Sequence, residues 1–526
     1  MGKAIGIDLG TTNTVISYVN KNGKLRQLRY DNKETIIPSV IYFKSRNEYY
    51  IGSTAKKMLE LNPAAGVRNF KTRMGDSEKY EITPEEGKPF SLRSREIAKL
   101  FLNKLIGGME EKLLKEFGSV EGFIEKAIIT VPAKYSSTQK GETRRAAKEA
   151  GLDSINLAAE PTAAAIAYED SRGSSDPNAV ILVYDFGGGT FDVSIIRRHG
   201  NSFEEIATGG DKNLGGNTLT EKLVEEILEH INDDYGLDMP LNEDDFDEET
   251  QNISPDTYRL NMSDIYNTAN LIKERLSEEE DVTEFCNLVL PDGQSIVYEA
   301  KFTRAELEDF IRDYIEETIK ITKQTIREAK DKGVEEIDQI VLAGGSSNIP
   351  LVKESLEKYL QNHAVVFGDD VSTMISRGAV QLGEKADQIT SKTLTNVDMG
   401  IAAREGLRFA KFQTIIPANE PLPCTRKALF QLENNNQQSI NIAYYERDVK
   451  NYPHATRIID DGIEQIDTIV IDNLPPGLRA DDTDVEVEFT AQADGSLDIF
   501  VVLMDRKGVK LKQSDKISFN KKSDLE

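Results

Sequence analysis

The sequence predicts an α/β N-terminal region followed by an all-β C-terminal domain, and three observations carry that reading. From residue 1 to about 384, short apolar strands such as Ala127-Ile-Ile-Thr-Val131 and Ala179-Val-Ile-Leu-Val183 alternate with long helical patterns. Beyond about 394 the period falls to two. Val485, Val487 and Phe489 alternate with acids, Asp494-Gly495 supplies a turn, and Leu497, Ile499, Val501 and Leu503 alternate again, as in a β-hairpin. Finally, 526 residues exceed the roughly 100–200 that one core accommodates.

Taken along the chain, the first apolar strand ends in Ile7-Asp-Leu-Gly-Thr-Thr12, and a second ends in Tyr184-Asp-Phe-Gly-Gly-Gly-Thr190. The shared strand-Asp-x-Gly plan predicts two related lobes. Between Asn242 and Asp256 the run Glu243-Asp-Asp-Phe-Asp-Glu-Glu249 lacks the glycine and ligand spacing of a calcium loop, and is expected to be a solvated insertion. A long helix should open at the capping box Thr303-Arg-Ala-Glu306, with Phe302 and Leu307 as a hydrophobic staple, and stop near Gly333. Residues 384–393 are polar throughout and read as a linker between an N-terminal domain, 1–383, and a β-sandwich, 394–526.

Composition excludes several classes of function. Lys plus Arg number 64 against 90 Asp plus Glu, a net charge of −26, so the surface repels nucleic-acid backbones and anionic lipid. No apolar run approaches the roughly 18 residues of a membrane span. Met1 leads straight into a strand with no basic segment or apolar signal core, so a cytoplasmic location is expected. Cys286 and Cys424 are too far apart in sequence for a zinc knuckle or disulfide framework to have support, and the four histidines are scattered.

The chemistry sits in the two glycine turns. A strand that turns at glycine lets backbone N–H groups and hydroxyls reach a phosphate that a Cβ would block. Asp8 and Asp185 would then lie beside an anion, which makes sense only with a cation between, so they point to waters held around Mg²⁺. A lone turn of this kind is as often structural. Two copies, with Gly209-Gly-Asp-Lys-Asn-Leu-Gly-Gly216 and Ala343-Gly-Gly-Ser-Ser347 added, argue for phosphate binding. Neither a G-x-x-x-x-G-K-[ST] loop nor a dinucleotide fingerprint is present.

At these residues the chain resembles the DnaK-type heat-shock chaperones of the actin and sugar-kinase superfold. The matching motifs are Gly6-Ile-Asp-Leu-Gly-Thr-Thr12, Thr130-Val-Pro-Ala133, Glu160-Pro-Thr-Ala-Ala-Ala-Ile-Ala-Tyr168, Asp185-Phe-Gly-Gly-Gly-Thr-Phe-Asp-Val-Ser194 and Gly344-Gly-Ser346. The resemblance is strong to about residue 384 and weaker to about Asn520. It implies an actin-like, two-lobed ATPase domain, then a sandwich that grips extended apolar peptides. The family's helical lid is expected to be absent. ATP or ADP with Mg²⁺ are the implied cofactors. Unfolded polypeptide, a J-domain cochaperone and a nucleotide exchange factor are the implied partners.

The resemblance also assigns residues. Lys71 matches the lysine that stabilises the γ-phosphate and orients the attacking water, and Glu160 and Asp192 match the carboxylates that place waters. Asp185 and Thr190 complete the catalytic set, and Asp8 and Asp185 the metal set. Gly10, Thr11, Thr12, Asn13, Gly187, Gly188 and Gly189 would line the phosphates. Gly215, Gly216, Asn270, Lys273, Ser277, Gly344, Gly345, Ser346 and Asn348 would line the rest of the nucleotide. Pro132 and Lys140 match a proline-arginine relay, with lysine for arginine. Ile401, Phe430, Ile440 and Ile442 match positions lining the peptide channel, and sandwich core is their equal alternative.

Several positions depart from the family pattern. Arginine that stacks on adenine is replaced by Glu274 and Asn348, and a channel-lining apolar residue by Arg404. The nucleoside-contacting glutamate is Asn270. The leucine-rich linker reads Thr390-Ser-Lys-Thr393, for which weak or absent docking on the ATPase domain is expected unless a polar groove there pairs these groups or Leu394 serves as anchor. The expected function is an ATP-hydrolysing chaperone. The alternatives are a metabolite kinase of the same superfold, against which the C-terminal sandwich argues, and a non-hydrolysing ATP-binding interaction protein.

Overall fold

The computed structural model describes residues 4–20, 22–30, 34–117, 124–172, 176–360, 365–367, 371–385, 389–392, 394–395, 397–403, 410–449, 452–492, 495–514 and 517–518. Thr393, Arg404 and Asp494, on which sequence expectations fell, lie outside them.

Two six-stranded sheets form the α/β region, and they repeat one plan. In the first, the order is Ile155–Ala159, Lys126–Val131, Ala4–Leu9, Asn13–Val19, Leu25–Gln27, with Ile37–Pro38 also on Asn13–Val19. In the second it is Val365–Phe367, Gln339–Ala343, Val180–Phe186, Phe191–His199, Ser202–Asp211, Thr390–Lys392. Each aspartate-bearing strand pairs antiparallel with the strand after its glycine turn and parallel with a strand far along the chain, Asp8 opposite Thr130 and Asp185 opposite Ala343. The expected pair of related lobes is therefore present. Helices Glu160–Arg172 and Met374–Glu384 cross so closely that a Cβ on Gly378 would stand 1.8 Å from the Ala163 carbonyl oxygen.

Helix Arg304–Asp331 opens as its sequence requires. The Glu306 N–H donates to Thr303 Oγ1 at 3.3 Å, the Thr303 N–H donates to the Glu306 carboxylate at 2.8 Å, and Phe302 and Leu307 are both buried. The acidic insertion carries short helical turns, Glu243–Asp245 and Glu248–Gln251, and its acidic run is exposed, anchored by Phe246, which stacks on Tyr258 with ring centroids 4.4 Å apart, and by the buried Ile253.

The C-terminal region is a sandwich of two antiparallel sheets. One runs Lys411–Ile416, Asp398–Ala403, Ile440–Arg447, Ile463–Ile471. The other runs Cys424–Gln431, Thr483–Ala491, Leu497–Asp505, Lys510–Gln513, with Ile517–Ser518 on Leu497–Asp505. The alternating segment pairs from Thr483 with Asp505 to Ala491 with Leu497, which turns Val485, Val487 and Phe489 inward with Ile499, Val501 and Leu503.

The linker expectation is decided by its exception. The polar linker is docked: Thr390–Lys392 adds a parallel strand to the second lobe, with Thr390, Ser391 and Lys392 opposite Ser202, Phe203 and Glu204. A strand joins a sheet edge through main-chain N–H and C=O groups, so it needs no apolar side chains. Leu394 follows it, only 8% exposed, in a crevice with Val131, Pro132, Lys140, Leu157 and Glu205.

Candidate functional site

The two glycine turns meet face to face between the lobes. Strand Ala4–Leu9 is buried except at Asp8, which it delivers to its end, where the Thr130 hydroxyl donates to the carboxylate at 3.2 Å. In the second lobe Asp185 and Asp192 lie directly opposite across the hairpin. The turn between them closes by the Gly187 N–H on the Thr190 carbonyl at 3.0 Å, and the Thr190 hydroxyl donates to Asp192. A Cβ on Gly188 would lie 1.9 Å from Thr12 Oγ1, so only glycine permits the approach. That Thr12 hydroxyl is buried with no hydrogen-bond partner, while Thr11 packs against Gly189. Gly10 and Asn13 bracket the first turn, a Cβ on Gly10 falling 2.1 Å from the Asn13 carbonyl oxygen.

Further loops close round the second turn. The Gly216 N–H and the Ser346 hydroxyl both donate to the Gly187 carbonyl at 2.9 Å, and a Cβ on Gly215 would meet the Gly189 backbone at 2.5 Å. Gly344 holds φ +78°, with room beside it for Asp185 but not for a side chain of its own; Gly345 has open space.

Lys71 sits on the 3-10 turn Phe70–Arg73 and pairs with Glu160, the first residue of helix Glu160–Arg172, at 2.8 Å with both side chains buried. Tyr135 donates to the Lys71 carbonyl at 3.2 Å and lays its ring 5.7 Å from the ammonium. Burial alone would depress Lys71, but Glu160, Tyr135 and Asp8 outweigh it and hold its charge. The carboxylates are in excess. Burial and then Glu160 push Asp8 up to about 7 against Lys71, and do the same to Asp192 against Lys134 and Lys71. Asp185 is raised too, by burial, then Glu160, Asp192 and Asp8.

Such an excess fits a divalent cation. Among the described residues no three His, Cys, Asp or Glu side chains converge as a direct metal cage. That suits Mg²⁺, which keeps its waters and takes one or two carboxylates with phosphate oxygens.

Behind Gly216, the helix Pro255–Leu276 carries Asn270 and Lys273, and Ser277 caps it. The Lys273 ammonium donates to the Gly216 carbonyl at 2.7 Å, Thr220 Oγ1 at 2.6 Å and Asn270 Oδ1 at 3.1 Å, and burial lowers it to about 8. Ser277 Oγ donates back to the Lys273 carbonyl at 3.3 Å. Glu274 accepts from Asn270 at 2.8 Å and Asn348 donates to the Gly345 carbonyl at 3.1 Å, so neither presents a cation.

Residues 4–525 match the family model described as Hsp70 protein. The chain belongs to the Hsp70 family. This Hsp70 is 31% identical over 453 residues to the Chaperone protein DnaK of Thermotoga petrophila, covering 84% of this chain and 70% of that one. It is 32% identical over 444 residues to the Chaperone protein DnaK of Mycoplasmopsis agalactiae, covering 83% and 68%. The Thermosipho africanus protein of the same name is 28% identical over 453 residues, covering 84% and 69%. As an Hsp70 the chain is an Mg²⁺-dependent ATPase and a chaperone of unfolded polypeptide that works with J-domain cochaperones and nucleotide exchange factors. Nothing in the comparisons favours the kinase alternative.

The remaining expected residues lie in the sandwich and at the domain junction. Ile401, Ile440 and Ile442 are buried in the sandwich core, and Phe430 packs against it half-buried. Pro132 and Lys140 lie where the first lobe meets Leu394. Sequence reasoning missed Lys134, Tyr135, Thr220, Glu205 and Glu446. Lys134 and Tyr135 directly follow the Thr130-Val-Pro-Ala133 motif and were within reach of it. Glu205 was not: a bulge opposite Ile195 and Ile196 turns it inward, which no alternation pattern reveals.

Proposed function

We propose that this Hsp70 divides its work at the stretch 384–393, residues 1–383 hydrolysing ATP and residues 394–526 gripping peptide. The observation that carries the reading is the buried Lys71–Glu160 pair inside a group of aspartates that exceed it in charge, beside the partnerless Thr12 hydroxyl.

In this reading Asp8 and Asp185 hold the metal's waters, and Mg²⁺, when bound, neutralises charge on the phosphate oxygens. Thr12, Thr190 and the backbone N–H groups of the glycine turns donate to those oxygens. Lys71 stabilises charge developing on the γ-phosphate, and Glu160 and Asp192 orient the attacking water. Asn270, Lys273 and Ser277, with Gly344, Gly345, Ser346 and Asn348, hold the nucleoside. Ile401, Phe430, Ile440 and Ile442 supply the apolar lining for peptide, and Pro132 with Lys140 passes the state of one domain to the other. The strand Thr390–Lys392 and Leu394 support that coupling, because the link is packed on the ATPase domain. A cytoplasmic site of action accords with the acidic composition, and among the described residues no helix is long and apolar enough to cross a membrane.

The test is ATP turnover with and without an unfolded apolar peptide. Mg²⁺-dependent hydrolysis that rises with peptide is expected. Hydrolysis unaffected by any peptide would overturn the division of labour, and absent hydrolysis would overturn the roles given to Lys71 and Glu160.

A further inference from the structure

Three segments remote in sequence bring buried ionisable side chains to one point where the domains meet. Lys140, on the helix Ser137–Glu149 of the first lobe, is 9% exposed. Glu205, on the strand Ser202–Asp211 of the second lobe, is 3% exposed, and Glu446, on the sandwich strand Ile440–Arg447, is 5% exposed. Each carboxylate is bound into the joint. Glu205 accepts from Ser194 Oγ at 3.3 Å, from the Thr208 hydroxyl and from the backbone N–H of Leu394, two residues beyond the docked strand. Glu446 accepts from the Ser137 hydroxyl and N–H and from Tyr444, whose hydroxyl also lies 3.2 Å from Ser137 Oγ. Lys140 faces both acids, and its ammonium abuts the sandwich hairpin, where a Cβ on Gly495 would come within 2.5 Å. One turn along, Arg144 faces Asp498 of the sandwich. On the sandwich strand, Arg447 is paired with Asp398.

The outer pairs balance, but the centre holds two carboxylates against one ammonium. Closing the domains therefore buries one surplus negative charge, which a proton would remove. We propose that Glu205 and Glu446 share one proton when the joint closes, so that docking of the linker and sandwich on the ATPase domain is favoured by acid and loosened by base. The proposal rests on the two-domain switch described above.

The direction follows from burial. In the closed joint burial lifts both acids above their ordinary range, Glu205 against Lys140 and Glu446 against its hydroxyl donors. A group raised in the closed form favours closure fully below its open-form value and loses that contribution as pH rises through the closed-form value. Burial lowers Lys140, and the charges of Glu205 and Glu446 oppose that shift.

The test measures the docked fraction of the full chain with Mg-ATP by small-angle scattering between about pH 5.5 and 8.5, for the wild type, Glu205→Gln, Glu446→Gln and the double variant. Wild type should lose docking as pH rises, the docked-to-undocked ratio falling by up to about tenfold per unit for one proton. Each glutamine variant should flatten the curve and hold the docked form at the alkaline end, because an amide stands in for the protonated acid. A wild-type ratio independent of pH, or glutamine variants that titrate like wild type, would overturn the proposal. Basal ATP turnover in the same samples reports separately on the switch: its absence from wild type would remove the reading on which the joint depends, whatever the scattering shows.

Discussion

The Lys71 ammonium stands 2.8 Å from a Glu160 carboxylate oxygen, and the two form one buried unit at the mouth of the glycine turns. In the proposed mechanism its charge meets the negative charge that grows during phosphoryl transfer. Lys71→Ala should lower single-turnover hydrolysis by roughly 10²–10³-fold, the scale of losing one such donor, while Mg-ATP still binds. Turnover within a few-fold of wild type would show that another group carries the role.

Gly188→Ala tests the facing turns. The added Cβ would fall 1.9 Å from Thr12 Oγ1 and 2.9 Å from Thr12 Cβ, so the lobes must part to admit it. ATP affinity is expected to drop by about tenfold or more, with circular dichroism unchanged. Wild-type affinity by titration would mean that the turns separate when nucleotide binds.

Neither Glu274 nor Asn348 offers a cation to stack on a purine. The missing contact, about 0.5–2 kcal/mol, corresponds to roughly 2- to 30-fold in affinity. ATP should bind more loosely than to relatives with a stacked arginine, with poorer rejection of GTP. Calorimetric titration giving sub-micromolar ATP and strong exclusion of GTP would contradict this.

The carboxylate excess gives the nucleotide-free protein a pH dependence of defined sign. Asp8 and Asp192 rise from 3.8 to about 7 by burial and the charge of Glu160. Their stabilising contribution is full below about pH 4 and is lost as pH rises through about 7. The Tm in chelator should therefore fall between about pH 4 and 7 and level off above, and Mg-ATP should restore it. A chelator Tm that rises over that interval would refute the placement of these groups.

The polar link gives a fifth test. Ser391 and Leu394 both line the crevice beside Glu205, but Ser391 is half-buried and held in the ladder by its main chain, whereas the apolar Leu394 is buried there. Ser391→Ala should leave peptide stimulation of hydrolysis within about twofold. Leu394→Asp, which sets a second carboxylate beside Glu205, should nearly abolish it. Equal effects of the two changes would mean that side chains at 390–392 matter after all.

These contrasts follow what the chain makes legible. The glycine turns, the aspartates at 8 and 185 and the capping box at Thr303 were readable because each is a local pattern with a local cause. The joint was not, since Ser137 and Glu446 are 309 residues apart and nothing in either neighbourhood announces the other. The linker misled for a different reason: weighing the burial of Thr390-Ser-Lys-Thr393 side chains overlooked a ladder that ignores them. Ile401, Ile440 and Ile442 stayed ambiguous because a channel wall and a sandwich core demand the same residues.

The ladder between Ser202–Glu204 and Thr390–Lys392 has a consequence beyond one molecule. When that strand leaves, the second lobe presents a bare sheet edge, and any extended chain can take the vacancy. The molecule's own segment wins because its tether keeps it at an effective concentration of about millimolar, far above that of a neighbour in dilute solution. As protein concentration climbs toward that figure, the same register becomes available to a second copy, and exchange of segments between chains turns an intramolecular latch into the seam of a swapped dimer.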